Sequence, residues 1–386
     1  MKVLVTNASG AKGLIVTRSL GEKNIEVVNT DCERFSAAFF SRYSTRHFSI
    51  PSPSDSPDEF IRVLLEYVRN NKIDVLMPVN NEETLLISQH KKKFLPYTKV
   101  PFEDYSKMIK LNDKGELAKV AEELNILIPR TYQIFEIDEI NKLAASITYP
   151  VVIKLRNSTS SIGINYAFSQ EDLIAKYKEN VCKYKLDNLN YPLVQEYIPG
   201  TGYGVSLLMN QGELRAIFTH KRLREFPITG GPSTLRISVR HPEMEKIAIK
   251  LLSHFNWHGV AMVEFKLDRR NNTPYLIEVN PRFWGSINQA IASGVDFPYL
   301  LYKMTVEGDI RPILDYKLGV KTRFLMNDFR AIISHLKHSK SRGKIIREIF
   351  ELDGIYDDIL CYKDLLPIFF FVYTNLKDRK KKVTKI

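Results

Sequence analysis

Four residues have types and spacing suited to gathering a cation and a phosphate: Glu264, Glu278, Asn280 and Arg282, within the stretch 257–286, WHGVAMVEFKLDRRNNTPYLIEVNPRFWGS. Residues 260–267 and 275–279 are apolar and β-rich, and 268–274 (DRRNNTP) is polar and turn-forming. A hairpin folded about Asn271 sets Glu264 opposite Glu278. Strand alternation puts Glu264 on the face of Val260 and Met262, and Glu278 with Asn280 on the face of Leu276. Two carboxylates facing each other on a half-apolar surface repel, and burying unpaired charge is costly. A hard divalent cation removes both objections, because Mg²⁺ takes one or two carboxylates with phosphate and water completing its shell. Asn280 adds a neutral oxygen, and Arg282 places a guanidinium where a phosphate would sit.

Two further stretches carry charge where charge is unusual. Lys154 lies inside the apolar run 149–155, YPVVIKL, and a lysine there needs a partner for its ammonium. The small hydroxyl residues and glycine of 156–163, RNSTSSIG, let backbone N–H groups turn toward an anion. Residues 220–226 and 229–236 read as a basic, glycine-containing loop. Arg222 and Arg224 stand two apart, so an extended chain gives them one face, suited to clamping a phosphate or carboxylate.

The elements that must position these groups alternate β and α up to about residue 98, which implies a parallel sheet. KVLVT at 2–6, a tight loop through 13 and an apolar run at 14–20 form an opening βα unit, with a second strand ending at Asp31. The loop lacks the full G-x-G-x-x-G spacing of a dinucleotide site.

The run E-F followed by L-I-E-V-N-P-R resembles the metal-binding signature of the ATP-grasp superfamily. The resemblance implies that Glu264, Glu278 and Asn280 hold one or two Mg²⁺ ions (Mn²⁺ as a substitute) against the phosphates of ATP. It implies that Arg282 meets phosphate or the reacting carboxylate. Asp113-Lys114, opening a helix, resembles the family's first ATP-contacting lysine, and Lys154 its second. The loop behind Lys154, with Ser160 and Ser161, resembles the phosphate-covering loop. LVQEYI at 193–198 resembles the adenine hinge, with backbone contacts from Glu196 and Ile198 on either side of Tyr197. Relatives place a ribose-binding acid just beyond; Gly202-Tyr203-Gly204 stands there instead, so ribose recognition differs or falls to Gln195. The basic stretch, with Arg222 and Arg224 as catalytic clamps, is similar to ligases of the carbamoyl-phosphate-synthase-like group.

The expected fold is α/β and α+β: a Rossmann-like domain (1–100), a small ATP-grasp subdomain (101–192), a subdomain with the Mg²⁺ site (193–308) and a helical extension with a basic tail (309–386). The implied activity joins a small-molecule carboxylate to an amine through an acyl phosphate, releasing ADP and phosphate. The alternatives are activation of bicarbonate, nucleotide binding without catalysis, and, on the weak glycine pattern, NAD(P) chemistry. A net charge of +12 and a pI near 9.3 suit anionic ligands, and no basic-aromatic nucleic-acid motif is present. Three scattered cysteines, Cys32, Cys182 and Cys361, give no disulfide framework or zinc spacing and fit a reducing cytoplasm. No signal peptide or bilayer-spanning run is expected, and a homo-oligomer is compatible with the sequence. An apolar run at 365–373 before the basic cluster 377–385 suits either a docked helix with a solvated tail or peripheral contact with the inner face of an anionic membrane.

Overall fold

The structure is a computed structural model describing residues 1–158, 161–227, 230–338 and 355–383. The first sheet is parallel, in the order Arg46–Ser49, Glu26–Asp31, Lys2–Val5, Val75–Met77. Helices Ala11–Gly21 and Pro57–Asn71 bury their apolar stripes against it. The edge strand Arg46–Ser49 carries no apolar run in the sequence, in keeping with its mostly exposed residues. Asp31 accepts N–H bonds from Ser9 (2.7 Å) and Glu33 (2.9 Å), which ties it to the turn.

The second sheet is antiparallel, in the order Thr131–Tyr132, Leu193–Glu196, Val151–Lys154, Asn165–Ala167, and has its own core with helices Glu139–Ser146 and Gln170–Lys183. Leu193–Glu196 thus belongs to the smaller subdomain, beyond the boundary expected at 192. Conversely, helices Tyr105–Asn112 and Lys114–Glu123 pack through Met108, Leu117 and Val120 into the core of the large sheet. The chain crosses between subdomains more often than one cut allows.

Among the described residues the large sheet runs Pro274–Asn280, Gly259–Asp268, Gly200–Asn210, Glu213–Glu225, Ser233–Ser238, Lys321–Arg323, Ile355–Asp357. The expected basic loop at 220–236 is therefore mostly hairpin: His220 pairs with Ser238 and Arg222 with Arg236. Its charged run 220–225 carries Arg222 into the cleft, while Leu223 is exposed and Arg224 is buried. The C-terminal extension is not simply helical, since it adds the last two strands. One core joins Val3, Ile15 and Met77 of the first domain to Phe218, Met262 and Trp284 of the large sheet, so those two layers form one body.

Helix Leu366–Val383 returns to the first domain, where Phe370 stacks on Phe40 and Phe371 is buried. Arg18 fastens the segment before it through Asp364 (2.9 Å) and the Ile359 carbonyl (2.8 Å). Of the three consecutive phenylalanines, only Phe369 remains largely exposed. Pro367 sits in the first turn, where its missing N–H costs no helical hydrogen bond. Among the described residues no helix is long and apolar enough to cross a membrane.

Candidate active site

Glu264 and Glu278 are direct partners in the antiparallel register, with a bulge immediately after Glu264. Glu264 accepts from the Asn280 amide (3.0 Å) and is paired with Arg222 through its other oxygen. Glu278 lies 3.4 Å from Lys114 Nζ. Burial raises the Glu264 carboxyl, opposed by Arg222 and reinforced by Glu278. Burial acts the same way on Glu278, but Lys114 and Lys154 outweigh it and hold that carboxyl below its ordinary value. Two facing acids suit a hard cation sharing its shell with phosphate oxygens, and Asn280 stands beside them with its amide nitrogen on Glu264 and its Oδ1 on Arg282. Among the described residues no grouping of three or more His, Cys, Asp or Glu forms a metal cluster.

Asp113 caps helix Lys114–Glu123 by accepting from the Gly115 and Glu116 N–H groups, and this aims Lys114 into the cleft. Lys114 Nζ donates to the Ser158 carbonyl (3.0 Å). Lys154 leaves its strand buried and donates to Gln195 Oε1 (2.6 Å). Burial lowers its ammonium to about 8, partly countered by Glu278. Gln195 also donates to Thr131 Oγ1 (2.8 Å), so it orients Lys154, and it lines the cleft. Ser161 lines the cleft with φ 62°, while Ser160 lies outside the described residues. Glu196, Tyr197 and Ile198 line the same wall, although the Glu196 N–H is committed to the Arg130 carbonyl (2.9 Å).

The two clamp arginines part company. Arg222 stands in the cleft between Glu264 and Glu225 (3.3 Å to the latter). Arg224 does not share its face, because register shifts on both sides of Arg224 break the alternation. Its guanidinium instead makes a two-pronged buried pair with Asp328, Nε to Oδ1 and Nη2 to Oδ2, both 3.0 Å. Arg282 is buried, donating to Asn280 Oδ1 (2.6 Å) and Asn81 Oδ1 (2.9 Å), and burial lowers it to about 10.

Sequence reading missed Lys266, whose ammonium lies 5.1 Å from the Tyr197 ring centre on the cleft wall. The period of two that grouped Met262 with Glu264 reaches Lys266 next and was the available signal. It also missed a second cleft of about 340 Å³ that opens from the first across Arg222, Glu264 and Glu278. Lys12, Arg236 and Asp358 line it.

Residues 189–323 match the family model described as "ATP-grasp in the biosynthetic pathway with Ter operon". The chain is 24% identical over 222 residues to the carbamoyl phosphate synthase large chain of Pyrococcus furiosus, covering 56% of this chain and 20% of that one. It is 29% identical over 208 residues to a D-alanine–D-alanine ligase of Wolbachia pipientis, covering 48% and 61%. It therefore spans less than two thirds of these curated relatives. The biotin carboxylase domain of a Hydrogenobacter thermophilus 2-oxoglutarate carboxylase superposes with a TM-score of 0.67 at 16% identity, covering 83% of this chain and 73% of that chain. An L-amino acid ligase from Bacillus licheniformis gives 0.62 at 16%, covering 81% and 77%. The chain has the ATP-grasp fold, and its residues 189–323 are similar to an ATP-grasp family.

Proposed function

We infer that this protein is an ATP- and Mg²⁺-dependent ligase joining a small-molecule carboxylate to an amine. The observation that carries the reading is the Glu264–Glu278 pair with Asn280, ringed by Lys114, Lys154, Arg222 and Arg282. Lys114 and Lys154 neutralise phosphate charge from two sides, and Gln195 fixes the direction of the second. Glu264, Glu278 and Asn280 would hold Mg²⁺, which when bound offsets the charge gathered on the phosphates. The walls bearing Tyr166, Tyr197 and Ile198 supply an apolar seat for the base. Arg222 stands where the two clefts join and Arg282 lines the second, so both border the space where the reacting groups would meet.

The substrate carboxylate oxygen bonds to the γ-phosphorus as the bond to the bridging oxygen breaks, releasing ADP. The amine nitrogen then bonds to the acyl carbon, the C–O bond to phosphate breaks, and a proton is released. Such chemistry needs positioning and charge stabilisation rather than a protein nucleophile. The test is ADP release with Mg-ATP, a panel of carboxylates and hydroxylamine, which captures an acyl phosphate as a hydroxamate. Carboxylate-dependent ADP and hydroxamate in step support the reading. ADP release driven by bicarbonate alone moves it to carboxylation, and no release with any acid leaves a nucleotide-binding protein.

A second reading, peripheral membrane contact, rests on one face of helix Leu366–Val383. Leu366, Phe369, Tyr373 and Leu376 are all at least half exposed there, and the sequence continues into basic residues. One of these, Lys377, already pairs with Glu33 (2.7 Å). Sedimentation with anionic vesicles that falls with salt, and is lost on Phe369→Ser/Tyr373→Ser, supports contact; salt-independent sedimentation removes it.

A further inference from the structure

The second cleft lies beside the nucleotide cleft and is floored by the start of helix Ala11–Gly21, the hairpin bearing His220 and Arg236, and the turn through Trp284. Its remaining wall comes from Phe324, Asn327 and Asp358, all beyond the matched segment 189–323. Buried polar atoms rarely lack a partner in a folded protein, and each that does calls for an explanation. Among the described residues four such atoms belong to side chains lining this one cleft: His220 Nδ1, Arg222 Nε, Trp284 Nε1 and Asp358 Oδ1.

Their chemistry is sorted by sign. Arg222 and Trp284 offer N–H donors, the amine of Lys12 adds another, and the cations Arg236 and Arg282 line the same space. Lys12 is held there by Asn80 Oδ1 (3.1 Å) on the neighbouring strand's loop. Asp358 is the exception. Only 4% exposed, it gives one oxygen to Arg236 and leaves Oδ1 without a hydrogen bond. The nearby Asn288 amide donates to the Asp357 carbonyl (3.0 Å). Glu264 and Glu278, the other acids lining the cleft, are those proposed for the metal. A ligand that satisfies this wall needs a carboxylate for the donors and a positive nitrogen for one acid.

We propose that the second cleft holds a free amino acid, with its carboxylate toward Arg222 and Arg282 and its ammonium on Asp358, which makes Asp358 the specificity-determining residue for the amino group. This deepens the ligase reading and rests on it. It also gives the added C-terminal strands a role. Ile355–Asp357 pairs beside Lys321–Arg323 and delivers Asp358 to the cleft, while the Arg236 pair fixes the carboxylate.

The experiment uses the full chain with Mg-ADP and titrates the common amino acids, in both L and D forms, against their des-amino carboxylic acids by calorimetry. The expected result is at least one amino acid bound tenfold or more above its des-amino counterpart. Asp358→Asn should abolish that preference while leaving ADP affinity unchanged. Asp358→Glu keeps the charge on Arg236 but moves the free oxygen, so it should weaken the amino acid and spare the des-amino acid even if the Asn variant fails to fold. Equal binding of the two acids by the wild type overturns the proposal, as does no binding of any amino acid, or equal loss of both ligands in the folded variants, which would mean that Asp358 only positions Arg236. Hydroxamate formation from des-amino acids without amino-acid preference would remove this proposal and leave the ligase standing. Asp358-dependent amino-acid binding without ADP release would do the reverse.

Discussion

The two clefts share a wall at Arg222, Glu264 and Glu278, yet they are built in opposite ways. The cleft proposed for the nucleotide takes its charged groups from short runs with a local signature: a capped helix start at Lys114, a lysine inside the strand Val151–Lys154 and acids on a two-strand hairpin. The second cleft takes Lys12, Arg236 and Asp358 from three distant parts of the chain, each joined only by sheet order and by the docked C-terminal segment. On the proposed reading, local motifs therefore mark where phosphate would be handled. Topology decides what is brought to meet it.

The largest effect that sharpens this contrast comes from the paired arginines. Arg224→Ala leaves Asp328 buried without its partner and should cost about 3–5 kcal/mol of stability by denaturant titration. Its nucleotide affinity, measured on the folded fraction, should stay near wild type. Arg222→Ala should cost less stability and reduce turnover more than affinity, since its contacts tighten as charge develops. Matching profiles for the two variants would break the distinction between a clamp and a tie.

Next, Lys154→Ala should weaken ADP binding by about 2–5 kcal/mol in calorimetry, because it removes a buried ammonium facing phosphate. An unchanged affinity would put the phosphates elsewhere.

A smaller effect follows from pH. Lys154 titrates near 8 rather than at its ordinary 10.5 because it is buried. Its ammonium is present below that value and lost above it, so ADP affinity should fall as pH rises through about 8, by up to about tenfold per unit. Stability moves the other way: burying the ammonium costs stability at lower pH, and that cost is relieved between about 8 and 10.5. Lys154→Arg should remove the fall in affinity over this range, since its guanidinium stays charged. A fall of the same size in the variant would assign the titration to another group.

How much was legible follows the same division. The facing of Glu264 and Glu278 could be derived by counting along a hairpin, because strand period and turn chemistry are local. The helix start at Asp113-Lys114 was legible for the same reason. Arg224 was misread because the register shifts around it leave no composition signal. The part of Gln195 in orienting Lys154 was not legible because its partners, Lys154 and Thr131, come from neighbouring strands whose pairing is not written in its own strand. Asp358 was invisible: it follows a short strand, in a region where the family pattern had faded, and gains meaning only beside Arg236.

The central claim is that Glu264, Glu278 and Asn280 hold a divalent ion against nucleotide phosphate. ADP titrations of the wild type and of Glu278→Gln, each with and without Mg²⁺, test it most directly. Mg²⁺ should tighten ADP binding to the wild type by tenfold or more and change binding to Glu278→Gln by less than about twofold, a difference of about 1 kcal/mol or more. An equal Mg²⁺ response in the two proteins would contradict it.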